Sequence, residues 1–215
     1  MRISFMLCTS LVDFDKKRVK VFLDEEFAFV LYKGELNLYG IKTDQILKEE
    51  NYHEIVRVVL VKRAKLRAAN LVAKREYTQK QIEDKLSQGG YPSSCIEAAI
   101  TFLLEYHYLD DERYARNYLL SRVASKSRKQ LVMELKNKGI EMDTIETVFE
   151  EANVEGDTEE KAVRLKLKKR KFDFKTATYE EREKMKAFLF RRGFPSEIIR
   201  NEVNSSQYDE EYYGL

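Results

Sequence analysis

Several residue types that carry chemistry or stabilise small folds are scarce in this sequence of 215 residues. It contains two cysteines, two histidines, two prolines and no tryptophan. Cys8 and Cys95 are too few, and too far apart in sequence, for a disulfide framework or a metal-binding cysteine motif. This usage is typical of a reduced intracellular protein, and we expect a cytoplasmic location.

The sequence also lacks the patterns of the common catalytic and cofactor sites. His53 and His107 do not belong to a metal-binding spacing, and there is no phosphate-binding glycine loop. The Gly89–Gly90 pair reads as a helix stop, and the Asp110–Asp111 pair reads as a helix cap. We therefore predict that the protein is not an enzyme, has no catalytic or metal-binding residues and uses no cofactor.

No apolar run reaches the length of about 18 residues that a membrane span needs. The opening segment, MRISFMLCTSLV, has a short apolar run and no signal-type cleavage pattern, so it predicts a strand and not a signal peptide. The composition is 43% hydrophobic and 35% charged, which is typical of a globular chain with a well-solvated surface. A net charge of +2 does not by itself indicate nucleic-acid binding.

Residues 1–50 predict a small β-rich module. Two segments with alternating apolar residues, 18–23 and 27–32, are separated by an acidic break, which indicates a hairpin. A short helix is predicted near Thr43. From about Glu49 the apolar residues recur at three- and four-residue steps, and this change predicts helices for the rest of the chain.

The helical part contains three copies of one sequence pattern, as the alignment of segments 79–100, 128–149 and 182–203 shows. Gly90, Gly139 and Gly193 fall together, and so do the only two prolines, Pro92 and Pro195. Each repeat therefore reads as a helix, a second helix stopped by glycine, and a third short helix. The predicted first helices span 65–76, 110–123 and 157–171. Capping boxes are predicted at Thr78–Gln81 and Ser127–Gln130, whereas the third repeat has Glu181 and Lys184 at these positions.

The predicted fold class is mainly α, with tandem three-helix repeats that form an elongated, curved array behind the N-terminal β module. The repeats are assigned to 51–106, 107–155 and 156–204, and 205–215 form an acidic tail. Tyrosines and phenylalanines at helical spacing are assigned to core or inter-repeat packing rather than to base stacking. These are Tyr91, Tyr106, Tyr108, Tyr114, Tyr118 and Phe194.

Charge is distributed unevenly, and the basic residues of the second and third repeats are the candidate partner- or DNA-binding site. Such residues suit either phosphates or an acidic protein groove. The acidic block 141–160 argues against uniform wrapping of DNA, since it would repel phosphates. The candidates are Arg113, Arg116, Arg122, Lys126, Arg128, Lys129, Lys136 and Lys138 in the second repeat, and Lys166, Lys168, Lys169 and Arg170 in the third.

Three segments carry a resemblance to a known family. The run LDDERYA at 109–115, the helix ending KGI at 138–140 and the segment FLDEEFAF at 22–29 resemble RecX proteins, which regulate the bacterial RecA recombinase. The resemblance covers about residues 16–203; SKS at 125–127 departs from it, where a glycine-bearing turn is common. It implies an inhibitor that binds the groove of the RecA filament on single-stranded DNA and limits ATPase activity, strand exchange and the SOS response. We also expect the protein to be a monomer.

Two other functions stay open from the residues alone. A stand-alone nucleic-acid-binding helical scaffold would contact single-stranded DNA directly, with a steep dependence on salt. A helical-repeat adaptor for an unrelated acidic partner would bind neither DNA nor the filament.

Overall fold

The structure, a computed structural model, describes residues 6–152 and 158–204. The chain divides into two compact units, Met1–Asp110 and Asp111–Leu215, called here the first and second unit. Within the described residues it is mainly helical with one small antiparallel sheet, and the helices form tandem three-helix repeats. The predicted fold class is confirmed in these respects. The predicted acidic tail, 205–215, lies outside the described residues.

The sheet belongs to the first unit and has the order β3-β2-β1-β4. Its strands are β1 (Met6–Asp13), β2 (Arg18–Leu23), β3 (Glu26–Tyr32) and β4 (Gln45–Leu47). Alternation along β2 buries Val19, Val21 and Leu23 on one face. The predicted hairpin is confirmed, because Leu23 pairs with Glu26 across a tight turn.

The short helix predicted near Thr43 is wrong. Helix α1 (Lys33–Leu38) lies earlier and follows β3 directly. The Glu35 carboxylate accepts a hydrogen bond from the Tyr32 N–H at 2.8 Å, which fixes the start of α1. Gly40, with φ +64, ends this segment, and Thr43 then lies in the turn before β4.

One continuous helical run replaces the first helix predicted at 65–76. It consists of α2 (Glu49–Glu54), a π-helical segment (Ile55–Leu60) and α3 (Val61–Val72). The Val56 carbonyl accepts the π-type bond from the Val61 N–H. It also accepts a hydrogen bond from the buried Cys95 thiol at 3.3 Å. Cys95 is therefore a packing residue.

The remaining helices follow the predicted repeat pattern. They are α4 (Gln79–Gln88) and α5 (Ser93–Glu105) in the first unit, then α6 (Asp111–Leu120), α7 (Arg128–Lys136), α8 (Met142–Glu151), α9 (Thr158–Lys169), α10 (Tyr179–Arg191) and α11 (Ser196–Asn204) in the second. Pro92 and Pro195 directly precede α5 and α11, as predicted.

The three aligned glycines end α4, α7 and α10 in the same way. Gly90, Gly139 and Gly193 have φ of +78, +82 and +79. After each glycine the next N–H returns to the carbonyl five residues earlier, as from Ile140 to Leu135. This is the Schellman motif, which satisfies free carbonyls at a helix end. The predicted glycine stops are confirmed.

The predicted caps are confirmed in part. Thr78 forms the full capping box with Gln81. Ser127 accepts from the Gln130 N–H at 3.1 Å, but the Gln130 amide turns to Glu134 instead of back to the cap. The third repeat has its own box at Thr178–Glu181, so α10 begins three residues earlier than the alignment predicted.

The core of the first unit joins sheet to helices, because Phe29 and Leu31 of β3 belong to one buried cluster with Ile55, Leu60 and Leu86. The second unit has one cluster for each repeat, centred on Leu135 and Leu189. The packing role expected for the aromatic residues is wrong for Tyr106 and Tyr108, which are 61% and 54% exposed.

Candidate functional site

The twelve predicted binding residues all lie in the second unit. Arg113 and Arg116 are on α6, and Arg122 and Lys126 are in the turns that join α6 to α7. The others lie on α7, on α9 or just after these helices; they are Arg128, Lys129, Lys136, Lys138, Lys166, Lys168, Lys169 and Arg170. The structure gives these residues different surroundings, which divide them into three groups.

In the first group, carboxylates of the same unit neutralise the cation. Arg116 pairs with Glu112 at 2.8 Å and also with Glu151 of α8. The hydrogen bonds from Glu151 and Glu112 raise the pKa of the Arg116 guanidinium. Part of the acidic block therefore contacts α6, and a partner that binds Arg116 would compete with these two carboxylates.

Lys126 also has a carboxylate partner, inside a compact polar cluster. Its ammonium contacts both oxygens of Glu134, at 2.7 and 2.6 Å, and the Tyr118 hydroxyl donates to the same carboxylate at 2.7 Å. Burial alone would raise the pKa of Glu134, but the hydrogen bonds from Lys126 and Tyr118 outweigh it and lower that pKa. Burial and the bond to Glu134 raise the pKa of Tyr118 to about 12.

In the second group, guanidinium groups lie over aromatic rings. The guanidinium carbon of Arg122 is 4.0 Å from the centre of the Tyr118 ring, and that of Arg128 is 4.3 Å from the centre of the Phe149 ring. The backbone N–H of Arg128 also donates to Glu159 at 2.8 Å. These arginines keep their charge but are held in place by stacking, so a substitution there changes packing as well as charge.

The third group is a set of cations that repel one another around Lys166, and its member Lys126 is also paired with Glu134. Burial lowers the pKa of the Lys166 ammonium, and the positive charges of Arg192, Lys169 and Lys126 lower it further. Arg170 and Arg192 both lie over the ring of Phe188, at 3.6 and 4.4 Å from its centre. We call Lys126, Lys166, Lys169, Arg170 and Arg192 the basic cluster.

Arg192 is the member of the basic cluster that the sequence reasoning missed. It ends α10, and its guanidinium reaches the cations of α9. A signal for it was present, because Arg192 precedes Gly193 as Lys138 precedes Gly139, and Lys138 was selected. Clustering itself could not be predicted, since it depends on how α9 and α10 share the core of the third repeat.

The structure does not bring the remaining candidates into this cluster. Arg113, Lys138 and Lys168 make other interactions within the chain. Lys136 is exposed in the last turn of α7, and Lys129 lies beside the Gly193 turn.

The same described residues, 6–152 and 158–204, contain no group of three or more histidine, cysteine or acidic side chains placed to hold a metal ion. They also contain no helix long and apolar enough to cross a membrane.

Comparison with protein families shows matches over each of the three repeats. The models of the first, second and third three-helix domains of RecX match residues 64–103, 110–148 and 157–201. These ranges include α6 and α7 and most of α9 to α11, which carry the basic cluster.

Whole proteins and solved structures are similar over most of the chain. The regulatory protein RecX of Caldanaerobacter subterraneus is 30% identical over 201 residues, which are 93% of this chain and 99% of that protein. That of Clostridium botulinum is 30% identical over 194 residues, 89% of this chain and 91% of the relative. A crystal structure of a regulatory protein RecX covers 93% of this chain and 100% of its own, with a TM-score of 0.59 at 20% identity.

Proposed function

This chain belongs to the RecX family of regulatory proteins, and we propose that it inhibits the RecA recombinase. In this proposal it binds the groove of the RecA filament on single-stranded DNA and limits ATPase activity, strand exchange and the SOS response. It acts in the cytoplasm as a monomer, by binding and not by catalysis.

The basic cluster is the observation that supports this proposal. Lys166 and Lys169 come from α9, Arg192 from the end of α10 and Lys126 from the turn before α7, so two repeats contribute to one surface. Repulsion between neighbouring cations destabilises the folded state, and features of this kind are often found at functional sites. An anionic partner would offset this repulsion, and both acidic protein surfaces and DNA phosphates have the required charge.

Tandem repeats suit a partner that is itself periodic. Successive repeats can contact successive subunits of a filament. Each contact can then have a low affinity, although the protein as a whole binds the filament tightly. The twelve candidate residues and Arg192 are the residues that we propose for this interface, with the basic cluster at its centre.

Co-sedimentation with RecA filaments tests this function. Filaments are formed on long single-stranded DNA with a non-hydrolysed ATP analogue, and the protein is added at about 150 mM salt, where exposed charges more than about 8 Å apart are screened. We expect the protein to sediment with the filament and to remain in solution with bare DNA or with RecA alone.

The alternative function is a stand-alone nucleic-acid-binding scaffold, which the basic surface also fits. It predicts equal sedimentation with bare DNA and with the filament, and a loss of both as salt rises. That result would replace the regulatory proposal.

A further inference from the structure

A groove of about 800 Å3 lies wholly within the first unit and is lined by none of the residues proposed above. The turn between β1 and β2 forms one wall, and α3 forms another. The glycine turn that ends α4 closes the groove against β3, because a Cβ on Gly90 would lie 2.3 Å from a methyl group of Val30. The groove is therefore built from the same core that joins the sheet to the helices.

The lining of this groove is strongly cationic. Six cationic side chains and one carboxylate, Asp15, face it. Arg18 forms an ion pair with Asp15 at 2.6 Å. The hydrogen bond from the Arg18 side chain, together with those from the backbone N–H groups of Lys17 and Arg18, lowers the pKa of the Asp15 carboxyl. The cations are Lys16, Lys17, Arg18, Arg63, Arg67 and Lys85.

Four of these cations stand apart from the ion pairs of the groove. Arg18 pairs with Asp15, and Arg63 pairs with Glu35 at 2.5 Å. Lys16, Lys17, Arg67 and Lys85 have no carboxylate partner within residues 6–152 and 158–204. An array of this kind is available to a ligand with several separate negative charges.

Flat groups line the same groove. The guanidinium of Arg18 lies 4.6 Å from the centre of the Phe14 ring, and that of Arg63 lies 4.7 Å from the centre of the Tyr32 ring. Tyr91 completes the wall, and burial raises the pKa of its hydroxyl although nearby Arg63 and Arg67 lower it. Leu66, on α3, is 62% exposed there.

We propose that this groove binds a short stretch of single-stranded polynucleotide. Phosphates would contact the four cations outside the ion pairs, while bases stack on the ring and guanidinium planes that the ion pairs hold in place. An acidic peptide would use the charges but has no need of the stacked planes, and this difference favours the polynucleotide.

The expected affinity is modest and depends on salt. Four phosphate contacts on a single strand give a log–log salt slope of about −2.8, so binding weakens about twentyfold between 50 and 150 mM salt. The groove is therefore consistent with a protein that stays off bare DNA at the higher salt, and it does not depend on the proposed RecA function.

Photocrosslinking locates the bound strand on the full-length protein. The probe is an oligo(dT) of about 15 nucleotides that carries 5-iodouracil, a length that exceeds one small binding site. After irradiation at about 50 mM salt, where the slope above predicts the tighter binding, we expect adducts on the peptides that contain Phe14, Tyr32 or Tyr91. Adducts confined to the second unit would overturn the proposal.

Charge reversal gives an independent test with a matched control. Lys17→Glu/Arg67→Glu changes two exposed groove cations, whereas Lys42→Glu/Lys62→Glu makes the same charge change at exposed positions of the same unit that do not line the groove. By fluorescence anisotropy we expect the groove variant to bind labelled oligo(dT) at least about tenfold more weakly, and the control within about twofold of wild type. Equal weakening in both variants, or displacement of the probe by an aspartate–glutamate peptide but not by unlabelled oligo(dT), would overturn the assignment.

Discussion

The hydroxyl of Ser127 donates a hydrogen bond to the backbone carbonyl of Arg192 at 2.6 Å. Ser127 also caps α7, since its oxygen accepts from the Gln130 N–H. One buried side chain thus begins the second helix of one repeat and binds the helix end of the next. The same bond fixes the backbone of Arg192, whose guanidinium belongs to the basic cluster.

Ser127→Ala should therefore destabilise the second unit. It removes the cap and leaves the Arg192 carbonyl without this donor, and we expect a loss of about 1–2 kcal/mol in the free energy of unfolding, measured by urea denaturation. Ser127→Thr should keep most of the free energy of unfolding that Ser127→Ala loses, because Thr78 is the cap at the equivalent position of the first repeat. Ser121→Ala, at an exposed site, is the control; if it destabilised the protein as much as Ser127→Ala, the bridging role of Ser127 would be wrong.

Gly90→Ala should unfold or severely destabilise the first unit, and Gly40→Ala is its matched control. Both glycines have positive φ, which costs an alanine about 1–2 kcal/mol. Only at Gly90 would the new Cβ meet Val30, at 2.3 Å, whereas nothing lies within 4 Å of a Cβ at Gly40. Thermal melts should thus show a larger loss for Gly90→Ala, with partial recovery when Val30→Ala is added. Equal losses at the two glycines would contradict the close contact between the turn and β3.

Much of this architecture follows from local sequence signals. Glycine stops and proline entries depend on the backbone preferences of single residues, so Gly90, Gly139, Gly193 and the two prolines were sufficient to define the repeats. The cap of α10 was missed because alignment with the other repeats placed Glu181, and not Thr178, at the cap position. In the structure Glu181 is the partner of the Thr178 cap.

The candidate site was less predictable because it depends on packing. Sequence reasoning selects cations, but it does not show that Glu134 neutralises Lys126 or that Phe149 lies under Arg128. It also treated the β module as separate, whereas the cationic groove needs Phe14, Arg18 and Tyr32 beside α3. The Tyr106 and Tyr108 rings stack on each other in an exposed position, which periodicity alone does not predict.

Glu134 should make stability depend on pH at the acidic end. Its pKa is lowered in the folded state, so its contribution is present above its ordinary pKa of 4.5 and is lost as the pH falls through the lower folded value. At about pH 7 we expect Glu134→Gln to lose about 1–3 kcal/mol in urea denaturation. The difference from wild type should shrink by about pH 3, below the ordinary pKa of glutamate. A difference that stays constant with pH would show that the charge of Glu134 is not responsible.

Lys166→Met should raise stability while it weakens function. The lowered pKa means that the folded protein disfavours the charged form, so at neutral pH removal of the charge relieves burial and repulsion from Arg192, Lys169 and Lys126. We expect a rise in Tm of up to about 2–4 °C, which becomes smaller as salt is added. Lys136→Met, at an exposed position of α7, should leave Tm nearly unchanged. A lower Tm for Lys166→Met would mean that Lys166 stabilises the fold.

The most direct test of the proposed function is the DNA-dependent ATPase activity of RecA, titrated with wild-type protein and with Lys166→Glu/Lys169→Glu. This variant should fold, because its new carboxylates would lie near Arg192 and Lys126. Lys42→Glu/Lys62→Glu supplies the same charge change outside the second unit. We expect wild type and this control to inhibit at well below one molecule per RecA, and the cluster variant to need about tenfold more, equivalent to about 1.4 kcal/mol. No inhibition by wild type, or equal inhibition by the cluster variant, would contradict the account.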